Sequence, residues 1–446
     1  MFFNRKESSQ PELSPGGDLI TREKNNTTTI TTTGVDAPAD LPDGGLQAWL
    51  QVAAGFLLFF NSWGISSSHG VFQAYYETHL PDASVDAIAW IGSIQSFLLL
   101  LVGVLVGPLC DAGHIRALAT AGISLIFLGF FTASFATRYW HVLLAQAFCV
   151  GLGAGCVFIP AVALVPQYFS RRRALATGIV TTGSSVGGVA YPVVFQSVLG
   201  RAGFPWAARA LAFVSLGTNA FALAVLRPRR RPGKQTAGRR WCVKLDLSAY
   251  RDRSFVLYSA AMFFNCWSYM APIYYLQQYA LSFKEPGQDP GTAQYLVAIL
   301  NAGSVVGRIF PAWLAGRFGP VNVLLGVSVC VSVVTLCWIA VRDGGAGSIA
   351  FAAMYGFASG GLTSLPATVV ATLVPDLGVH GTWLGMVSMT NAFASLSGPP
   401  IAGALLEATG GFLGAQLLSG LGMVVMTLFV AALRVSRVGR TQGWIA

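Results

Sequence analysis

One arginine stands within an apolar segment and has the chemistry to bind an anion. Arg308 lies between Leu300 and Phe310, next to Val306 and Ile309. In a membrane segment such a cation costs about 2.5–3.5 kcal/mol, and proteins usually keep it only for a pathway or a partner. A guanidinium can pair with both oxygens of a carboxylate. Alternatively, its long side chain extends to the cytosolic end of the segment.

Other polar side chains stand in apolar segments and could orient a ligand by hydrogen bonds or join helices. His69 is a different kind of candidate, because its unperturbed pKa near ~6.5 suits proton coupling. It could equally be a neutral, hydrogen-bonded residue near the outer end of its segment. The candidate ligand-binding residues besides Arg308 are Asn61, Ser304, Asn301, Asn265, Tyr274 and Asn391, with Tyr269, Tyr275, Thr363 and Ser364 as further lining candidates.

The composition identifies the elements that must position these residues. Of 446 residues, 54% are hydrophobic and only 10% are charged, against about 25% charged in soluble domains. This balance excludes an ordinary soluble enzyme and a disordered chain. Twelve charge-free stretches are long enough for membrane helices, which need about 20 residues. They are 44–76, 87–110, 117–137, 139–170, 174–200, 210–226, 254–283, 290–307, 318–341, 344–375, 377–406 and 408–433.

We therefore predict an all-α integral membrane protein with twelve transmembrane helices. Positive charges set the orientation, since cytosolic loops are rich in Lys and Arg. With the termini inside, 22 of these residues lie on the inner side and 5 on the outer side, so both termini are predicted to be cytosolic. The expected organisation is a disordered tail (1–42), an N-terminal six-helix bundle (43–226), a basic linker (227–253), a C-terminal six-helix bundle (254–435) and a short tail (436–446).

A polar motif follows the second predicted span. It contains Gly107, Asp111, Gly113 and Arg116 at the cytosolic end. This motif resembles the loop between helices 2 and 3 of the major facilitator superfamily. Asp111 can sit at a helix N-terminus across the interface of the two halves, with Arg116 nearby, in one conformation only. The four residues are our candidate conformational gate; otherwise they form a tight polar turn. In the second half Gly316 stands where the aspartate would be, so a second gate is weakened.

The two halves also resemble each other. Pro160 in span four matches Pro366 in span ten, and Gly178 in span five matches Gly385 in span eleven, at offsets of 206 and 207. Gly103 and Gly107 in span two were matched with Gly303 and Gly307 in span eight, at an offset of 200. Internal repeats of half the chain are typical of transporters.

The first span opens with Asp43-Gly44-Gly45, followed by Asn61-Ser62-Trp63-Gly64. Together with Phe204-Pro205-Trp206 and Gly307-Arg308-Ile309, these motifs resemble the fungal branch of the monocarboxylate porter family, over residues 41 to 435. The resemblance implies the two-bundle major facilitator fold with alternating access, and an arginine at 308 that binds the substrate carboxylate.

Two positions depart from the animal members of that family. Ser304 replaces an aspartate four residues before Arg308, and Ser66-Ser67-Ser68-His69 replaces a region that carries a lysine. These losses argue against simple proton-linked lactate or pyruvate transport. A neutral, aromatic site with one cation suits an organic acid with a sizeable apolar part.

We predict a secondary transporter for a monocarboxylate or related organic anion, with a proton as the candidate coupling ion. The alternatives are efflux of a secondary metabolite and a non-transporting nutrient sensor; the short C-terminal tail argues against the sensor. We expect no enzymatic activity, cofactor or bound metal, because no catalytic constellation or metal-ligand spacing is present. The partners are a small organic anion and the lipid bilayer, without nucleic acid or ATP, since no P-loop pattern occurs. The plasma membrane is expected rather than the vacuole.

Overall fold

The computed structural model describes residues 44–80, 84–229, 247–283, 293, 295–374 and 377–438. The predicted N-terminal tail, the last eight residues and most of the basic linker lie outside these ranges. Residues 42–446 belong to one compact unit. The predicted boundaries between the two bundles and their tails stay predictions.

Every regular element within the described ranges is a helix. The N-terminal half comprises α1–α8 and the C-terminal half α9–α14. The α-helices are α1 (Leu46–Ser67), α2 (His69–His79), α3 (Val85–Leu101), α4 (Gly103–Asp111), α5 (Ile115–Ala133), α6 (Tyr139–Val142), α7 (Gly151–Ala163), α8 (Arg173–Val225), α9 (Arg253–Leu281), α10 (Leu296–Phe318), α11 (Pro320–Cys337), α12 (Ala346–Leu373), α13 (His380–Thr409) and α14 (Leu413–Val438). A π-helix (Leu143–Val150) joins α6 to α7.

Eight helical segments are long and apolar enough to cross a membrane. One of them is α8, whose 53 residues form two spans because the backbone turns at Gly203, with φ 77° and ψ 174°. Such a positive φ favours glycine, which has no Cβ to clash. Three further helices of 29, 28 and 30 residues, α9, α12 and α13, are long enough but less apolar. Counted this way, each of the twelve predicted stretches falls on a helical span.

The lower hydropathy of α9, α12 and α13 has a structural cause. These three helices supply Asn265, Thr363 and Asn391 to a cavity inside the protein, so polar residues replace apolar ones on one face of each helix. A helix that faces a cavity between bundles does not need to be apolar all round. The predicted all-α fold with twelve spans is therefore confirmed.

Glycines allow the two halves to pack closely. A Cβ at Gly385 of α13 would lie 2.3 Å from the Gly103 carbonyl oxygen of α4. A Cβ at Gly178 of α8 would lie 2.8 Å from the Arg308 carbonyl oxygen of α10. Both matched glycines thus contact the opposite half, as the internal repeat predicts, and any side chain there would push the helices apart.

The other glycine pairing behaves differently. A Cβ at Gly307 would lie 1.9 Å from the Phe357 carbonyl oxygen on α12, within its own half. A Cβ at Gly107 would lie 2.2 Å from the Gly381 carbonyl oxygen in the opposite half. The offset of 200 therefore pairs residues with different surroundings. The contacts place Arg308 opposite Gly178 as Gly103 lies opposite Gly385, an offset of 205 that also relates Gly316 to Asp111.

Candidate functional site

A large cavity lies between the two halves. It encloses about 1110 Å³ free of protein atoms, part of which is continuous with solvent. Its wall is formed by α1, α3, α7 and α8 from the N-terminal half and by α9, α10, α12 and α13 from the C-terminal half. Among the described residues that line it, Arg308 is the only charged one.

Arg308 is buried, with 4% of its surface exposed, although it carries a charge. Its Nε donates to the Ser304 hydroxyl at 3.1 Å, one helical turn earlier. Its Nη1 donates across the interface of the halves to the Thr181 carbonyl and the Ser184 hydroxyl on α8. These bonds hold the guanidinium inside the protein, so it does not extend towards the cytosolic end of α10.

No carboxylate faces this cation on the described part of the cavity wall. The phenol of Tyr269 on α9 interacts with the guanidinium, and the remaining bonds go to neutral oxygens. A buried cation whose partners are all neutral lacks the compensation that an ion pair would supply. The arrangement is complementary to an anion that enters the cavity.

The structure brings four of the seven predicted ligand-binding residues to the cavity wall. These are Arg308, Asn265, Tyr274 and Asn391, and the further lining candidates Tyr269 and Thr363 join them. Ser304 is buried behind the wall, where its hydroxyl accepts from Arg308. It therefore positions the cation.

Asn61 and Asn301 are not on the cavity wall. Asn61 Nδ2 donates to the Leu57 carbonyl at 2.7 Å and to the Thr218 hydroxyl at 3.0 Å, and its Oδ1 accepts from the Tyr191 hydroxyl at 2.5 Å. This amide joins α1 to both spans of α8. Asn301 Nδ2 donates to the Val297 carbonyl at 3.0 Å. The structure gives both amides partners within the protein, where the sequence analysis had expected a substrate.

Two of the other lining candidates also lie off the wall. The Tyr275 hydroxyl donates to the Pro399 carbonyl at 3.3 Å, and the Ser364 hydroxyl donates to the Gly361 carbonyl of its own helix at 3.4 Å. Both groups therefore satisfy backbone acceptors between or within helices.

His69 is also absent from the cavity wall. Its ring packs against Gly92 of α3, where a Cβ would lie 2.2 Å from the His69 Cδ2 atom. Both ring nitrogens are buried and have no hydrogen-bond partner among the described residues. The proposed proton-coupling role of His69 stays a prediction, and any such role would act at a distance from the ligand.

Sequence reasoning missed the wall that the N-terminal half contributes. Phe59, Trp63 and Phe158 supply aromatic surface, and Thr181 and Ser184 supply oxygens. All five lie on spans that were identified correctly. Hydrophobic periodicity could not select them, because helices buried in a bundle are apolar on most faces.

The candidate gate lies where α4 meets α13. Asp111 Oδ1 accepts from the Gly381 backbone N–H at 2.9 Å, and Oδ2 accepts from the Thr382 N–H and hydroxyl, each at 2.7 Å. These groups form the N-terminus of α13, whose dipole favours a negative charge. Asp111 thus joins the two halves through a helix cap.

The remaining gate residues have separate tasks. Gly113 has φ +93°, which a turn after α4 requires and which other residues rarely adopt. Arg116 does not accompany Asp111 across the interface, because its Nε donates to the Leu226 carbonyl at 2.9 Å. It therefore holds the end of α8 against α5 within the N-terminal half.

Comparison with known families now becomes informative. The family model described as Major Facilitator Superfamily matches residues 52–376 and 283–443. The chain belongs to the Major Facilitator Superfamily. This assignment agrees with the two halves, the central cavity and the Asp111 contact described above.

Several fungal members of the superfamily are similar along most of their length. An "MFS-type transporter" of Gibberella zeae is 36% identical over 98% of this chain and 96% of its own. The "MFS-type transporter dbaD" of Emericella nidulans is 40% identical over 84% of this chain and 83% of its own. The "Aspyridones efflux protein apdF" of the same organism is 37% identical over 85% of this chain and 76% of its own.

A solved structure shows the same fold. The fucose:proton symporter FucP of E. coli aligns with a TM-score of 0.65 over 87% of this chain and 99% of its own, at 18% sequence identity. The protein is therefore an integral membrane transporter of the superfamily, and its cavity between the halves is the place for a small-molecule substrate.

Proposed function

We propose that the protein exports an organic anion that binds to Arg308 in the central cavity. The observation that carries this proposal is a buried guanidinium on the cavity wall whose described partners are all neutral. An anion there would compensate the charge and pair with the guanidinium in a bidentate geometry. The arginine, at the position that resembles the carboxylate-binding one, also supports placing the chain near the monocarboxylate porters.

The size and lining of the cavity favour a substrate larger than a two- or three-carbon acid. Ligand sites for drug-sized molecules enclose about 300–1,000 Å³ and are largely apolar, and this cavity is of that size. Aromatic rings on α1 and α7 form part of its wall. A substrate with an apolar body would cover these rings while its anionic group meets Arg308.

Export is favoured over import by a relative. The Emericella nidulans protein that is 37% identical to this chain is named an efflux protein. Alternating access permits either direction, since the driving gradient decides it. We propose the plasma membrane as the location, because an exported metabolite must leave the cell.

A proton is the coupling ion that we propose, with His69 as its titratable candidate. The test is the pH dependence of transport in the wild type and in His69→Gln, which keeps a polar side chain but cannot be protonated. We expect a flatter pH profile in the variant. An unchanged profile would remove His69 from the coupling mechanism.

The anion-export proposal can be tested in the organism that encodes the protein. The gene is deleted and complemented with the wild type, Arg308→Leu or Arg317→Leu, and anionic metabolites in cells and medium are compared by mass spectrometry. Arg317 is a matched control on the same helix, because it is exposed and stacks on Trp313 at 4.2 Å.

We expect at least one anionic metabolite to accumulate in the deleted cells and in cells with Arg308→Leu, by about 10-fold or more. This follows because losing a charged pair of about 1.5–3 kcal/mol lowers affinity about 10- to 100-fold. The wild type and Arg317→Leu should restore export. Full complementation by Arg308→Leu, at equal abundance in the membrane, would contradict the proposal.

A further inference from the structure

Two carboxamides on the cavity wall have carbonyl oxygens without a partner. Asn265 of α9 and Asn391 of α13 both line the cavity. The Oδ1 atom of each is buried and accepts no hydrogen bond within the described part of the chain. Buried polar groups are almost always paired, and an unpaired one destabilises the protein. Such groups at a ligand cavity indicate that the ligand supplies the missing partner.

The position of Asn265 relates it to the anion site. Tyr269, whose phenol interacts with Arg308, follows it by one helical turn on α9. Both side chains line the cavity, so they lie on the same face of the helix, about 6 Å apart along its axis. A ligand whose anionic group meets Arg308 can therefore reach Asn265 with a second polar group.

The opposite wall is aromatic. Phe158 packs against Trp63 with ring centroids 6.0 Å apart and against Phe59 at 5.8 Å. All three rings come from the N-terminal half, whereas the cation, both carboxamides and the phenols come from the C-terminal half. The cavity therefore offers an apolar face on one side and a polar face on the other.

We propose that the transported anion has an aromatic or similarly flat apolar body and carries an O–H or N–H donor besides its anionic group. The donor pairs with the carboxamide of Asn265 or Asn391. A carboxamide can turn about its last torsion and exchange its oxygen and nitrogen without changing shape, which presents the acceptor to the cavity. This inference rests on the proposed anion site and adds the substrate class.

The test compares ligands that differ only in the donor. We use 6-hydroxy-2-naphthoate and 6-methoxy-2-naphthoate, which share the carboxylate and the ring system, while the methoxy group accepts but cannot donate. Binding to the purified full chain is measured by isothermal titration calorimetry. We expect the hydroxy acid to bind at least about 5-fold tighter, as one net hydrogen bond requires.

The carboxamides are then replaced by an apolar side chain of similar size. In Asn265→Leu or Asn391→Leu, or in the double variant, the preference for the hydroxy acid should fall below about 2-fold, while the methoxy acid binds as before. The control is Asn219→Leu. Asn219 is a buried amide of α8, also without partners, that does not line the cavity, and its replacement should leave the preference unchanged.

The outcomes separate this inference from the proposed function. Equal binding of the two acids to the wild type would overturn the donor requirement and leave the anion site standing. A preference that persists in the double variant would overturn the assignment to the two carboxamides. Binding of neither acid would overturn both proposals. The comparison of the two ligands on the wild type needs no variant, so a variant that fails to fold does not prevent the test.

Discussion

Two contacts join the halves of this transporter at related positions, and they are built from opposite charges. Where α4 meets α13, the Asp111 carboxylate accepts three hydrogen bonds from the first turn of α13. Where α10 meets α8, the Arg308 guanidinium donates to oxygens on α8. In both interfaces a glycine of the partner helix approaches the backbone, at Gly385 and Gly178.

The difference lies in what can compete for each contact. Arg308 lines the cavity, whereas Asp111 does not. A ligand anion can therefore take over the donors of Arg308, but only a movement of the helices can break the Asp111 cap. We infer that the repeat has divided two tasks, ligand sensing at one interface and latching at the other. Arg308 stands where the other half has Gly103, and Gly316 stands where the other half has Asp111.

The largest expected effect breaks the sensing contact while keeping its charge. Arg308→Lys retains a cation but loses the planar fork, so it cannot bond to Ser304, α8 and a carboxylate together. We expect the affinity for 2-naphthoate to fall about 30-fold, from the loss of about 2 kcal/mol of charged hydrogen bonding. Calorimetric titration measures it. Wild-type affinity in the lysine variant would show that charge alone is sufficient.

The second prediction breaks the latch and spares the site. Asp111→Asn removes the charge and leaves one acceptor oxygen for three donors. We expect transport to fall about 10-fold, because a helix cap of about 0.5–2 kcal/mol is lost from one facing state. The affinity for 2-naphthoate should change less than about 3-fold. The readouts are export from complemented cells and calorimetry.

A matched control exists for this variant. Asp343 accepts from the backbone N–H groups of Gly347 and Ser348 at 3.2 and 3.3 Å, at the N-terminus of α12 and within its own half. Asp343→Asn removes a helix cap that does not join the halves, so transport should be retained. If both variants lost transport equally, Asp111 would matter for helix stability and not for the latch.

The fold was predictable because each of its signals is local. Charge-free length identifies a span, and Lys and Arg identify its cytosolic end. The task of Asp111 could also be predicted, since a carboxylate after a glycine motif has few functions besides capping. The site was only partly predictable. Arg308 was evident from its cost in a membrane, but whether Asn391 or Asn61 faces the cavity depends on rotation and packing of helices.

The repeat illustrates the same limit. Short glycine motifs align equally well at several offsets, and only the contacts show that Gly307 packs within its half while Gly107 packs across the interface. Ser184 gave no signal at all, because a serine in a membrane helix usually bonds to its own backbone. Its significance arises from Arg308, which reaches it from another helix.

The third prediction sharpens the comparison at Ser184. If this hydroxyl competes with the ligand for Arg308, Ser184→Ala should raise the affinity for 2-naphthoate about 3-fold, which corresponds to the about 0.5–1.5 kcal/mol of one hydrogen bond. Ser185→Ala is the control, because that hydroxyl is buried without a partner and does not line the cavity. Weaker binding in Ser184→Ala would mean that the serine positions Arg308 for the ligand.

The smallest expected effect comes from supplying the missing carboxylate. Gly316 is exposed, and a Cβ there would meet no atom within 4 Å, so Gly316→Asp fits without strain. Its position corresponds to Asp111, and the matching partner is the start of α8 at Arg173. A carboxylate near a helix N-terminus contributes about 0.3–1 kcal/mol.

We therefore expect a second, weak latch that slows export about 2- to 5-fold and leaves the affinity for 2-naphthoate unchanged. Gly316→Asn, which has the same shape without the charge, should slow export less. Raising the salt concentration should reduce the difference between the two variants, because an exposed ionic contact is screened. Equal export by wild type and Gly316→Asp would show that the interface at α10 depends on Arg308 alone, and that the carboxylate was lost there without consequence.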